Sequence, residues 1–336
     1  MAFKKYLFLA ALLLGTTLIC SRVEAKDLIF QMGNEMIQVI DADTDHITNI
    51  PMKGAARDSS FTADKKFLYV TGSRRVINKL DLQKMKIVKS INVEKKGWER
   101  FIYGMAISQD GKTGYVSVFS RRTENGEAII GAPEVLQINL DNGKILRSLK
   151  IPFGVVSLCL VENDTKLYAV GQDIFTIDLS HKQMKIVDTI PMFDKGMNIL
   201  ALWNYTEENG GVWLSPYYSA EGMGLLSIDT KTGKVNETML KGEPPFAYNA
   251  IYSPDKTKAY AVMDEVAVID LKTRTYSKIV PIPEGTCYGI MPTTDGKKLY
   301  VGAGGSTITV FDVASMKPIK VLQMETDAMG LRRLTL

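Results

Sequence analysis

Histidine is almost missing from this 336-residue chain, which has only His46 and His181. Each falls in a polar turn, and two isolated histidines make no metal cluster, so both read as solvated turn residues. Cysteine is scarce, with Cys20, Cys159 and Cys287. No Cys-x-x-Cys-His run occurs, which excludes covalent attachment of a c-type haem to this chain. Gly-x-Ser-x-Gly, the phosphate-binding glycine loop and the dinucleotide fingerprint are also absent. No charge of one sign dominates, with 41 Lys and Arg against 37 Asp and Glu. The charges are scattered and form no basic stripe of the kind nucleic acid requires. Helical periodicity is nearly absent as well, which leaves strands to build the domain.

The N-terminus is the exception to this even composition. Lys4 and Lys5 precede an apolar run over residues 6–19, and Val23 and Ala25 supply small residues at a cleavage site. This pattern predicts a secretory signal peptide over residues 1–25, leaving a domain over 26–336 and a periplasmic location. The run falls short of the roughly 20 apolar residues that span a bilayer, so no membrane segment is expected after cleavage. A lipid on Cys20 is the weaker alternative, because Ile19 is large for that motif. Cleavage would lower the formal charge from +4 to +2.

What the rest of the chain has is a repeat of about 40 residues. Each copy has an apolar strand, a polar turn, a Leu-Tyr-Val-like strand, a third strand ending in Asp or Asn, a second turn and a last strand. The third strands close at Asp41, Asp81, Asn139, Asp178, Asp229, Asp270 and Asp312. Seven such copies predict an all-β fold: a seven-bladed β-propeller with four-stranded antiparallel blades. The first copy lacks an innermost strand, and residues 330–336 are spare at the other end. The C-terminal strand is therefore expected to close the ring. Cys159 and Cys287 fall in first strands three blades apart, too distant to bridge, and are expected to be two buried thiols. Insertions fall at 119–133, 193–211 and 215–224, which in a repeat fold are loops.

The loops entering each first strand share one side of the ring with the loops between second and third strands. They carry Arg57, Asp58, Trp98, Arg100, Tyr103, Trp203, Tyr205, Tyr217, Tyr218, Phe246, Tyr248 and Tyr288. Tyr, Trp and Arg dominate binding hot spots, so these residues form the candidate partner and pocket face. The competing reading is that some of them only plug the channel or pack between blades. No catalytic residue and no metal ligand is assigned.

Four stretches carry a resemblance to a known family. They are IYGMAISQDGKTGYV (102–116) with the insert after it, KLYAVGQDIFTIDL (166–179), LLSIDTKTGK (225–234), and residues 287–324 from CYGIMPTTDGKKLYVG to VLQM. Together they make the chain resemble the β subunit of quinohemoprotein amine dehydrogenase, among the YVTN-type propellers, whose short signature resembles LYVTG at 68–72. The resemblance implies a three-subunit periplasmic complex that oxidises primary amines. Within it, a small subunit carries cysteine tryptophylquinone and a di-haem cytochrome subunit carries haem c. The propeller holds no redox cofactor, docks its partners and helps wall the substrate pocket. This sequence departs from the family in a shorter fifth blade and shorter N-terminal loops, so contact residues are not carried over. A stand-alone exported binding propeller, and the heavy chain of a methylamine dehydrogenase-like enzyme, are the alternatives. A lactonase-type hydrolase would need a centre rich in histidine or carboxylate, which two turn histidines do not supply.

Overall fold

Strand β1 (Asp27–Asp41) cannot be straight, because the Ala42 N–H donates to the Asp27 carbonyl at 3.0 Å. Glu35 has φ of 57°, and the chain folds back on itself at residues 33–35. Its second half pairs with β2 (Ile47–Phe61) and its first half with the C-terminal strand (Ala328–Thr335). These are the first elements of a computed structural model that describes residues 26–336 apart from 74, 201, 202, 284, 286 and 303. The expected leader, with Cys20, lies outside the described residues.

Strand β2 serves two neighbours in turn. Residues 47–51 pair with β1, and residues 56–61 pair with β3 (Phe67–Gly72). It thereby links the first two repeat copies into one six-stranded sheet that continues through β4 (Val76–Asp81) and β5 (Lys86–Asn92). The other five sheets are four-stranded and antiparallel. The first of them holds β6 (Glu99–Ile107), β7 (Thr113–Glu124), β8 (Glu127–Asn139) and β9 (Ile145–Lys150). Among the described residues the molecule is thus an all-β propeller with six sheets, which corrects the expected seven separate blades. The reason is local. The other copies are separated by loops, whereas the link at 53–55 is extended chain that continues the strand.

The spare C-terminal strand pairs with β1 from Asp27↔Thr335 to Gly33↔Ala328. The first and last strands thus meet in one sheet, and β1 has a neighbour on each side.

The seven Asp and Asn residues read from the repeat all cap the turn that follows them. Asp81 Oδ1 accepts from the Gln83 and Lys84 N–H groups, Asn139 Oδ1 from Asp141 and Asn142, and Asp270 Oδ1 from Thr273. Asp41, Asp178, Asp229 and Asp312 do the same. A side-chain oxygen that satisfies one or two turn N–H groups replaces ladder bonds that end there. Between first and second strands a second device recurs. Thr62, Ser108, Ser253 and Thr293 each donate a hydroxyl to the Asp two residues on, at 2.6–2.7 Å. His46 and His181 lie in exposed turns, with His181 2.8 Å from Asp178.

Apolar side chains on the sheet faces meet in a ring of clusters. Trp213 is wholly buried and its indole N–H donates to Ser157 Oγ at 3.1 Å. Cys159 and Cys287 are buried thiols in two different clusters, and burial pushes the Cys159 thiol far above its usual range.

Candidate functional site

The 193–211 insertion does not stay on the surface. Trp203, Asn204, Tyr205 and Asn209 are buried, and the segment enters the channel lined by first strands. Trp203 stacks on Tyr288 with centroids 5.3 Å apart, and the Arg57 guanidinium lies 5.9 Å from its ring. Gly330 of the closing strand sits against the indole, where an added Cβ would come within 3.2 Å of the ring. Tyr205 Oη accepts from Asn249 at 2.8 Å, and burial pushes its hydroxyl up to about 12.

Glu207 and Glu208 follow on the same loop and hold the buried Arg332. Its guanidinium reaches Glu207 at 2.6 Å and Glu208 at 2.8 and 3.0 Å, and donates to the Ser59 carbonyl at 2.5 Å. Glu207 also accepts from Ser60 Oγ and the Phe61 N–H. Burial alone would push the Glu208 carboxyl up. The Arg332 charge and hydrogen bonds outweigh it and hold the group below its usual value. One loop, the closing strand and β2 are thereby tied together at the axis.

Asp58 is the group in this cluster with the opposite shift. Burial pushes its carboxyl up to about 6, against the pull of Arg57 and of the Met105 and Ser59 N–H donors. Its folded pKa stands above the ordinary 3.8, so protonation favours the folded state. The stability it contributes is fully present below about pH 4 and lost as pH rises through about 6. The turn aspartates Asp41, Asp81 and Asp312 have lowered values and act in the reverse sense. Comparing Asp58→Asn with the parent cancels them. From pH 4 to pH 7 the urea stability of the variant should improve relative to the parent by about 2–3 kcal/mol. Parallel pH profiles for the two proteins would show that folding does not raise the Asp58 pKa.

The twelve residues singled out in the sequence divide among five environments. Arg57, Asp58, Trp203, Tyr205 and Tyr288 belong to the axial cluster, and Tyr217 is buried between sheets. Tyr218, Phe246 and Tyr248 continue outward from Tyr288 as a row of ring contacts spaced 5.1–6.0 Å apart. Phe246 is 51% exposed, and Tyr218 Oη donates to the Pro245 carbonyl and accepts from the Ala247 N–H. Tyr103 packs on Phe119, which touches Phe153. Trp98 and Arg100 line a separate cleft described below.

Two residues not singled out change the picture of the face. Phe153 is 62% exposed and Phe193 is 61% exposed. Both lie, like Phe246, in loops that join the outermost strand of one sheet to the innermost strand of the next. Three exposed phenylalanines at equivalent places put them on one side of the ring. A lone exposed ring needs no explanation, but repetition at one structural position does. The missed signal was the position of each Phe relative to the repeat.

No family model and no curated protein matches the chain. Solved structures do. Dihydro-heme d1 dehydrogenase NirN in complex with DHE aligns over 91% of this chain and 74% of its own, with a TM-score of 0.55 and 16% identity. Hydrazine synthase of Kuenenia stuttgartiensis aligns over 87% of this chain and 90% of its own, with a TM-score of 0.55 and 18% identity. At that identity the likeness establishes the β-propeller fold alone. Among the described residues, no helix is long and apolar enough to cross a membrane.

Proposed function

We propose that this chain is the propeller subunit of an exported, multi-subunit oxidoreductase of the quinohemoprotein amine dehydrogenase kind. The observation that carries the docking role is the row of exposed Phe153, Phe193 and Phe246 on one side of the ring. The family assignment draws support from the four sequence stretches, and the β-propeller fold is compatible with it. In this reading the chain docks a small subunit bearing cysteine tryptophylquinone and a di-haem subunit bearing haem c, in the periplasm. The propeller contributes a rigid wall to the pocket where primary amines are oxidised, and the partners supply the redox groups.

Purification of the native protein tests the reading. The chain should co-elute with haem absorbance and with a quinone-staining small polypeptide. Elution alone, without either signal, would overturn it and leave a stand-alone binding propeller. Replacing Phe153, Phe193 and Phe246 together by alanine should weaken the association by about 2–4 kcal/mol. The melting temperature should fall by only a few degrees, because each ring is more than half exposed. An undiminished affinity in this variant would move the interface elsewhere.

A further inference from the structure

A cleft of about 720 Å³ lies between the six-stranded sheet and the sheet that follows it. It is walled by the loop before β6 and by the part of the β7–β8 hairpin that overhangs the sheet. Six cationic side chains line it: Arg75, Lys95, Lys96, Arg100, Arg121 and Arg122. Three glutamates line it too, leaving a net of three positive charges. Glu99 is shared by Arg75 at 3.4 Å and Arg121 at 2.6 Å, and Arg122 holds Glu124 at 2.8 Å.

Trp98 stands among these cations. The Arg122 guanidinium lies 4.9 Å from its ring and the Lys95 amine 6.0 Å. Gly131 on β8 lets the indole lie against the hairpin, since an added Cβ would come within 3.1 Å of the ring. Arg100 is buried, with Glu134 at 3.0 Å and the Val93 carbonyl at 3.3 Å. Among the described residues its Nε has no hydrogen-bond partner. A buried guanidinium held rigid at one wall, exposed arginines at the other and an aromatic ring between them form a receptor for carboxylates, which arginine binds through paired N–H groups.

We propose that this cleft binds an acidic segment of a protein partner, with its carboxylates on Arg121, Arg122 and Lys96 and its chain against Trp98. The cations are spread over two loops and two strands, β6 and β7, so the site suits several carboxylates in a row better than one small anion. The cleft opens on the same side as the three phenylalanines, and the proposal rests on the reading of that side as a docking surface.

Titration of the full-length protein with hexaglutamate, followed by calorimetry and tryptophan fluorescence, tests it. Saturable binding of one peptide per chain is expected, weakening as salt rises. Arg121→Glu with Arg122→Glu should weaken it at least tenfold. Both side chains are exposed, and circular dichroism checks the fold. Lys95→Glu with Lys96→Glu, on the opposite wall, is the second variant should the first misfold. Equal binding by parent and variants would overturn the proposal. So would full displacement by inorganic phosphate at equal charge, or a preference for anionic vesicles over the peptide. If the charge-reversed protein loses hexaglutamate yet keeps its partners, the cleft assignment alone fails. If the parent binds hexaglutamate but no partner subunit, the docking assignment alone fails.

Discussion

Deleting residues 330–336 should abolish cooperative folding of the whole domain. The closing strand gives β1 its only neighbour on that side, with pairs running from Asp27↔Thr335 to Gly33↔Ala328. It also inserts the buried Leu331 and Leu334 into clusters that belong to different sheets. Asp27, itself buried, accepts hydrogen bonds from Thr294 and Thr335 across the same seam. Removing the strand opens the ring, bares a β edge and strips two inter-sheet clusters at once. Domains hold together by about 5–15 kcal/mol, and a loss on this scale leaves no folded state. The truncated chain should show no sigmoidal thermal transition and should elute as an expanded or aggregated species. A melting temperature within a few degrees of the parent would refute closure by this strand.

Arg332→Met should destabilise the intact chain by about 3–5 kcal/mol, because it leaves the buried Glu208 and the partly buried Glu207 without their cation. The geometry makes the dependence specific. The guanidinium satisfies oxygens of both glutamates and the Ser59 carbonyl. The apolar Met side chain keeps most of the volume, so the cost is charge and hydrogen bonding, not a cavity. Adding Glu207→Gln and Glu208→Gln should return at least half of the loss, since a neutral amide is far cheaper to bury. The sign with pH follows from Glu208, whose folded pKa lies below its usual value. Its contribution is present above the unfolded pKa and lost as pH falls through the folded one. In Arg332→Met that acid loss should disappear. Urea melts of the single and triple variants at pH 7 and pH 4 read all three effects. A single variant within 1 kcal/mol of the parent at pH 7 would show that the glutamates find other partners.

These two predictions bear on the functional reading. A docking subunit has to present its loops in fixed positions, and here the insertion that enters the channel is pinned to the closing strand by Arg332. A loop tied at the axis can hold Trp203 and the row of rings from Tyr288 to Phe246 without reorganising on contact, which lowers the entropic cost of association.

Much of the fold was legible because repeats announce themselves locally. An Asp at the end of a third strand and a Ser or Thr two residues before a turn Asp act through hydrogen bonds within a few residues. Sequence order alone therefore places them, and all seven third strands end where they were read. The closing strand was legible for a similar reason, since a copy short by one strand and a spare strand are complementary. The sheet count was not. Whether residues 53–55 break a strand or continue it depends on how the neighbouring strands sit, and the chain continues.

The candidate site was legible as residue types but not as an arrangement. Trp203 and Tyr205 were singled out for a surface and lie in the channel. Arg332, Glu207 and Glu208 were passed over although charged residues inside an insertion and a closing strand were visible signs. The ion cluster unites groups 125 residues apart in the chain, such as Glu207 and Arg332. The sequence by itself determined the repeat, the turns and the complementarity of the two ends, because each rests on local pattern. Only the tertiary structure decided which aromatics face solvent and which fill the axis. Closing the ring brings distant loops together, and burial is a property of that closed shape and of no single segment.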